Sequence, residues 1–489
     1  MCGHCSGCPF TEDAEQAIGN DAIRVSDLKA LSLTCKALRG IAQPYVFHRV
    51  PDVASFDSLL RTLASRPKLA RSIRCADMSF NRNSGEADTQ LCKDVAPSLH
   101  MTKPTVESFW KREMHCSPGA ELVLALLPNL DALRIRLHTA DFVYPVFTFL
   151  QSRFDKLGAE AHLASLQTLT IRGEADSHLT SQRALTIRGD RTYGSCLVCN
   201  ARSHVILSAT PNLRHLTIQS FRMEPADAAL WGHGVNMPRA ASSRARGLQR
   251  LQSLSFDDCI FQWGEVTSSY LYGWVESCPA LEQFRMVGSR ELTERRFMPA
   301  RHVVASLGPA QATLTHLHLD LSAVRKYVSE FPSGTLHGEL LAQFVQLQCL
   351  TIDDGSFCDV EDRDDAHPTC LSTLIPRHIK KLVILYSGRK HVQRDLMHMA
   401  QSLKVGRTVS SLEQLEVWQR RWTTPYLGGV EQLRKELFLP WSEEVVQEFA
   451  GTTVAVTIGC SIEVDGRRNV MAESAGSRDW GQGKTIRRI

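Results

Sequence analysis

Leu314-Thr315-His316-Leu317-His318-Leu319 decides how this chain folds, because its pattern returns along most of the sequence. The pattern is Leu-x-x-Leu-x-apolar. Nine stretches carry it: Leu130/Leu133/Ile135, Leu166/Leu169/Ile171, Leu213/Leu216/Ile218, Leu251/Leu254/Phe256, Leu281/Phe284/Met286, Leu314/Leu317/Leu319, Leu347/Leu350/Ile352, Ile379/Leu382/Ile384 and Leu412/Leu415/Val417. From residue 254 the middle positions fall at 254, 284, 317, 350, 382 and 415, in steps of 30, 33, 33, 32 and 33. So constant a period marks a repeat protein rather than the scattered strands of an ordinary domain.

The last two apolar residues of each phrase lie two apart, so in an extended segment both fall on one face, and the first Leu fills the turn before it. Ahead of several phrases runs a helical stripe: Leu271, Trp274, Val275 and Cys278 before the fifth, and Leu396, Met399, Ala400 and Leu403 before the ninth. Pro128, Pro211 and Pro279 stand two residues before the first Leu of their phrases, where proline ends a helix and opens an extended segment. Each unit reads as helix, turn, short strand. A unit of about 33 residues cannot bury its own apolar face and becomes stable by stacking on its neighbours.

The phrases resemble the strand motif of leucine-rich repeat proteins. That resemblance implies an α/β solenoid, with parallel strands on a concave face and helices on a convex one, over an irregular array at residues 119–450. The family motif continues into an Asn or Cys that bonds the turn backbone, and here only Cys259, five residues after Leu254, stands near that place. In the N-terminal half the steps lengthen to 36, 47 and 38, so insertions interrupt the array. The largest contains an echo, Leu169-Thr170-Ile171-Arg172-Gly173 against Leu185-Thr186-Ile187-Arg188-Gly189, which suits a hairpin or an added strand.

Residues 26–64 carry a second signal. Leu28, Leu31, Cys35 and Leu38 form one helical stripe behind Ser26 and Asp27, Pro44 breaks the helix, and Phe56, Leu59, Leu60 and Leu63 form another stripe. The helix, the exit Pro44-Tyr45-Val46-Phe47-His48-Arg49-Val50 and the segment Arg66-Pro67-Lys68-Leu69-Ala70 resemble the C-terminal half of an F-box as it occurs in fungal F-box proteins. The family's opening Leu-Pro segment has no counterpart in Phe10 to Val25. The resemblance implies docking on a Skp1-like adaptor of a cullin-RING ubiquitin ligase through Leu28, Leu31, Leu33, Cys35, Leu38, Pro44 and Phe47. A helical cap on the open end of the array needs no partner and would bury the same residues.

At 489 residues the chain holds one large array with small flanking segments. It is expected to divide into a Cys- and Gly-containing leader at 1–25, disordered by composition; the F-box-like segment at 26–64; a first strand and linker at 65–118; the repeats; and a final strand with a flexible basic tail at 451–489. No apolar run approaches the roughly 18 residues of a membrane span, and the N-terminus lacks a signal-peptide pattern. Fifteen thinly spread cysteines, an odd number, fit reduced thiols and an intracellular protein, cytoplasmic or nuclear. A net charge of +4 is too small at this length to point to nucleic acid.

Sites of chemistry are few. Cys2, Cys5 and Cys8 form overlapping Cys-x-x-Cys pairs and Cys196/Cys199 another, but nothing in the spacing joins them into a four-ligand zinc site. Gly483-Lys484-Thr485 lacks the first glycine of a phosphate loop. His215, His316 and His318 read as strand histidines, and Asp353, Asp354, Glu361, Asp362, Asp364 and Asp365 as a solvated acidic loop. No catalytic, metal or cofactor residues are assigned. The positions between the paired apolar residues, Arg134, Thr170, Thr217, Ser255, Arg285, His318, Thr351, Val383 and Glu416, are expected to face a protein substrate. Two functions remain open: an F-box-type substrate receptor of an SCF ubiquitin ligase, or a leucine-rich repeat scaffold that does not bind Skp1.

Overall fold

The computed structural model describes residues 29–50, 56–80, 89–95, 99, 118–137, 163, 165–173, 210–219, 222–223, 246–261, 265–288, 297–322, 336, 338–357, 370–386, 391–406, 411–422, 441–464, 467–474 and 486–488. Two compact units divide the chain: residues Met1–Phe256 with Ser277–Ala280, and Asp257–Glu276 with Leu281–Ile489.

The first unit runs α1 (Lys36–Val46), β1 (Arg49–Val50), α2 (Phe56–Ser65), α3 (Pro67–Ala70), β2 (Cys75–Phe80), α4 (Thr89–Val95), α5 (Pro118–Ala125), β3 (Ala132–Leu137), β4 (Thr168–Gly173), β5 (His215–Gln219) and β6 (Arg222–Met223), and ends in the start of β7 (Ser253–Phe261). Strands β1 to β5 are parallel and follow one another in chain order. Parallel neighbours need a crossover, and the helical stripes supply it: Phe56, Leu60 and Leu63 of α2 and Leu122 to Ala125 of α5 are buried. Strand β2 carries a tenth phrase, Ile73/Ala76/Met78, whose register with Leu133 and Ile135 places it in the same ladder.

The second unit continues with α6 (Glu265–Glu276), β8 (Gln283–Gly288), α7 (Ala300–Ser306), β9 (His316–Asp320), α8 (Gly338–Ala342), β10 (Cys349–Asp353), α9 (Cys370–Leu374), β11 (Lys381–Tyr386), α10 (His391–Lys404), β12 (Gln414–Trp422), α11 (Ser442–Phe449), β13 (Ala455–Val464), β14 (Arg467–Ser474) and β15 (Ile486–Arg488). Strands β8 to β13 are parallel, in chain order. Strands β14 and β15 pair antiparallel beyond β13; most of the tail between and after them lies outside the described residues.

Register explains why the period had to be constant. Phe284, Leu317, Leu350, Leu382, Leu415 and Val456 are successive partners, and so are Met286, Leu319, Ile352, Ile384, Val417 and Ile458. All are buried, so a one-residue slip would turn an entire apolar row to the wrong face. The stripes before β8 and β12 cover that row, with Leu271, Trp274, Val275, Leu396, Met399 and Ala400 buried. Cys278, which follows α6 in the chain, is buried too, and burial pushes its thiol up to about 12.

Most of the parallel strands are entered by one backbone device. The carbonyl of the residue after the first apolar residue of a phrase accepts two successive N–H groups from the next unit. Glu282 O takes Thr315 and His316 at 2.8 and 3.0 Å, and Thr315 O takes Gln348 and Cys349 at 2.9 and 3.0 Å. Side chains reinforce it from the position just before the phrase. Asn129 donates to Arg71 O at 2.9 Å, Ser165 to Leu130 O at 2.9 Å and Thr313 to Leu281 O at 2.7 Å, each reaching back one unit. His378 Nε2 makes the same link to Phe344 O at 2.8 Å. These contacts stitch the turns, the role expected of an Asn or Cys after the strand.

Two expectations fail locally. The helix expected over residues 28–38 is interrupted at Cys35, which opens α1 by accepting Arg39 N–H on its carbonyl (2.9 Å) and Leu38 N–H on its sulfur (3.5 Å). The helix then runs through Pro44 to Val46 rather than breaking there. The acidic loop is likewise corrected. Asp353 and Asp354 are fully buried, and Asp353 Oδ2 accepts Leu321 N–H at 2.9 Å and Ser356 Oγ–H at 2.7 Å, so the carboxylate fixes the turns that leave β9 and β10. Glu361 to Asp365 lie outside the described residues.

Candidate interaction surfaces

The alternate residues of the ladder form a second set of rows on the other face of the sheet. In the first unit Asp77, Arg134, Thr170 and Thr217 are register partners, and in the second Arg285, His318, Thr351, Val383 and Glu416. Eight of the nine positions expected to face a ligand, all but Ser255, thus fall in one row in each unit. Their exposure differs. Arg134 is 8% exposed, because its guanidinium closes on Asp77 across the rung at 3.5 Å, and Thr170 and Ser255 are buried as well. Those three are part of the packed ladder. Thr217, Arg285, His318, Thr351, Val383 and Glu416 are partly open to solvent.

In the second unit two side-chain assemblies flank the row. On one side Arg285 Nε meets Asp257 Oδ1 at 2.8 Å, and its Nη1 lies 3.2 and 3.3 Å from the two ring nitrogens of His318. Nearly equal distances to both nitrogens describe a guanidinium lying against the ring, with Asp257 neutralising it. On the other side Glu416 receives Lys381 Nζ on Oε1 at 2.6 Å and the Trp418 indole N–H on Oε2 at 3.0 Å. Between them Thr351 and Val383 present short side chains. Arg and Trp are among the residues enriched at the hot spots of protein-binding surfaces.

The one histidine of the first unit's strands differs. His215, at the start of β5, has its imidazole held below the usual range by burial first and by the Arg214 charge second.

The N-terminal helices present a surface of another kind. Leu33 is 75% exposed, Ile41 63% and Leu31 39%, while Ala42 is buried. Cys35 is an exposed free thiol, and Leu38 and Phe47 are half-buried. Leu28 and the side chain of Pro44 lie outside the described residues. Three large apolar side chains on adjoining helical segments are thus left exposed. The sequence stripe at 28, 31, 35 and 38 missed Ile41 because it stopped short of α1's last turns.

Among the described residues no group of three or more His, Cys, Asp or Glu side chains is placed to hold a metal, and no helix is long and apolar enough to cross a membrane. The candidate Cys-x-x-Cys pairs, the echo at 185–189 and Gly483-Lys484-Thr485 lie outside the described residues. No protein-family model matches the chain, and no curated protein matches it.

Proposed function

We propose that this chain is a non-catalytic interaction protein, a leucine-rich repeat receptor that docks on a Skp1-like adaptor through its N-terminal helices. The partly open strand row of the second unit holds a protein substrate for ubiquitination. The observation that carries the reading is the exposure of Leu31, Leu33 and Ile41 on the N-terminal helices, on a chain whose second-unit ladder offers a partly open polar row. A protein that joins two partners needs two surfaces of different chemistry. One is apolar and adaptor-facing, and the other is polar and built on rigid strands.

Assembly into the ligase tests this reading. The chain, expressed with Skp1 and cullin, should co-purify with both, and the Leu31→Asp/Leu33→Asp variant should co-purify with neither while keeping its circular dichroism. Equal recovery of cullin with both forms, or with neither, would leave a leucine-rich repeat scaffold as the account.

A further inference from the structure

Residues 29–39 contain no buried side chain; the first one, going along the chain, is Ala42. The helical segment at 29–34 also uses up its own polar groups. The Ser32 hydroxyl donates to Lys29 O and the Thr34 hydroxyl to Leu31 O, each at 2.7 Å. What the segment leaves for a partner is apolar or cationic: Leu31, Leu33 and Lys29, with Lys36 just beyond the break at Cys35. Arg39 Nε donates to Ser32 O at 3.1 Å, so a third cation reaches back across that break to the residue between the two leucines.

Positive charge is concentrated in this part of the chain. Residues 29–74 hold nine Lys and Arg against two Asp, an excess of seven, whereas the formal net charge of all 489 residues is +4, so the remainder is acidic by three. Lys29, Lys36, Arg66, Lys68 and Arg71 are exposed and form no ion pair among the described residues. Of the two carboxylates, Asp57 stands in the first turn of α2 and the side chain of Asp52 lies outside the described residues. A partner that meets this region gains from carboxylates of its own.

The placement of the leucines decides what class of partner that is. Leu31 and Leu33 are two residues apart on one helical segment, about 200° around its axis, and both are exposed. A lipid surface takes in one face of a helix, so it would cover one leucine and leave the other in water. The phosphates of a nucleic acid would meet the cations and offer nothing to either leucine. A concave protein surface can enclose the segment from both sides.

We propose that the partner of the N-terminal helices receives segment 29–34 in an apolar socket that closes on Leu31 and Leu33 from opposite sides and carries a rim of carboxylates facing Lys29, Lys36 and Arg39, an inference that rests on reading these helices as the adaptor-facing surface. The leucines then set how long the complex lasts, and the cations how fast it forms.

The probe is purified Skp1, mixed with the full chain in stopped-flow fluorescence so that association and dissociation rates are read separately. Association should slow about tenfold or more as salt is raised to about 0.5 M, and by a similar factor at low salt in Lys29→Glu/Lys36→Glu, with dissociation little changed. Lys404→Glu should associate like the wild type; Lys404 pairs with Glu448 on α11, and its reversal changes the net charge of the chain without touching the N-terminal helices. Leu31→Ala and Leu33→Ala, each alone, should speed dissociation about tenfold or more. Circular dichroism like that of the wild type checks that each variant is folded.

Association indifferent to salt and to the Lys29/Lys36 reversal, one leucine variant without effect, or binding of phosphatidylserine/phosphatidylcholine vesicles or of a single-stranded oligonucleotide as tight as that of Skp1 would overturn the socket while leaving an adaptor complex in place. Absence of any complex between the wild type and Skp1 is the distinct failure of the adaptor reading, and the socket falls with it.

Discussion

Asp353 holds the backbone N–H of Leu321 at 2.9 Å, joining the turn that leaves one strand to the carboxylate that ends the next. Both residues are buried, so the bond has no water to replace it. Asp353→Ala should therefore lower stability by about 1–3 kcal/mol, the cost of stranding a buried N–H group. Asp353→Asn, which keeps an acceptor oxygen, should lose less. Urea denaturation followed by circular dichroism distinguishes the two; an unchanged midpoint for the alanine variant would contradict the role assigned to this carboxylate.

Thr313 reaches back to Leu281 O at 2.7 Å, one of the contacts that stitch successive turns. Replacing it by Val keeps the shape and removes the donor. The expected loss is about 0.5–1.5 kcal/mol, one net hydrogen bond. Ser165→Ala in the first unit should cost a similar amount, and thermal melts of the two single variants measure it.

The ladder itself was legible in the sequence, and the way it is held together was not. The paired apolar residues of all nine phrases lie on strands, and they became buried rows within each unit because the two-residue spacing matches the pleat. A first strand was expected within 65–118, but the tenth phrase on it was harder to see since Ala76 stands where the other phrases have a larger residue, and a smaller side chain weakens the apolar signal. The turn stitching escaped notice because donors as different as Asn129, Ser165, Thr313 and His378 share a position, not an identity. The row facing away from the helices was read in register, but its burial was not: Arg134 becomes inaccessible through its partner Asp77, which belongs to the strand the pattern missed. Asp353 looked solvated because acidic residues follow it in the chain, whereas its burial depends on the turn after the neighbouring strand.

His215 makes stability depend on pH. Its folded-state pKa lies below the ordinary histidine value, through burial and the neighbouring Arg214 charge. The unfolded state therefore binds the proton more readily. The contribution is fully present above about 6.5 and is lost as the pH falls through the lower, folded-state value. His215→Gln should flatten the acid side of the stability profile below about pH 6.5 relative to wild type. Melting temperatures across that range check it, and parallel profiles would contradict it.

Thiol reactivity should separate two cysteines sharply. Cys35 is exposed and should react with a maleimide in the native protein within the mixing time of free thiols. Cys278 is buried with its thiol pushed up to about 12, so it should remain unmodified until the protein unfolds. Peptide mapping after brief labelling reads both sites, and rapid native labelling of Cys278 would show that the helix stripe before β8 is open.

Binding of purified Skp1 to the full chain, measured by calorimetry, tests the central claim most directly. The account predicts a one-to-one complex for the wild type, and affinity lowered by at least about a hundredfold in Leu31→Asp/Leu33→Asp, since two buried charges replace two apolar contacts at the interface. No heat of binding for the wild type, or an affinity that the double substitution leaves intact, would contradict it.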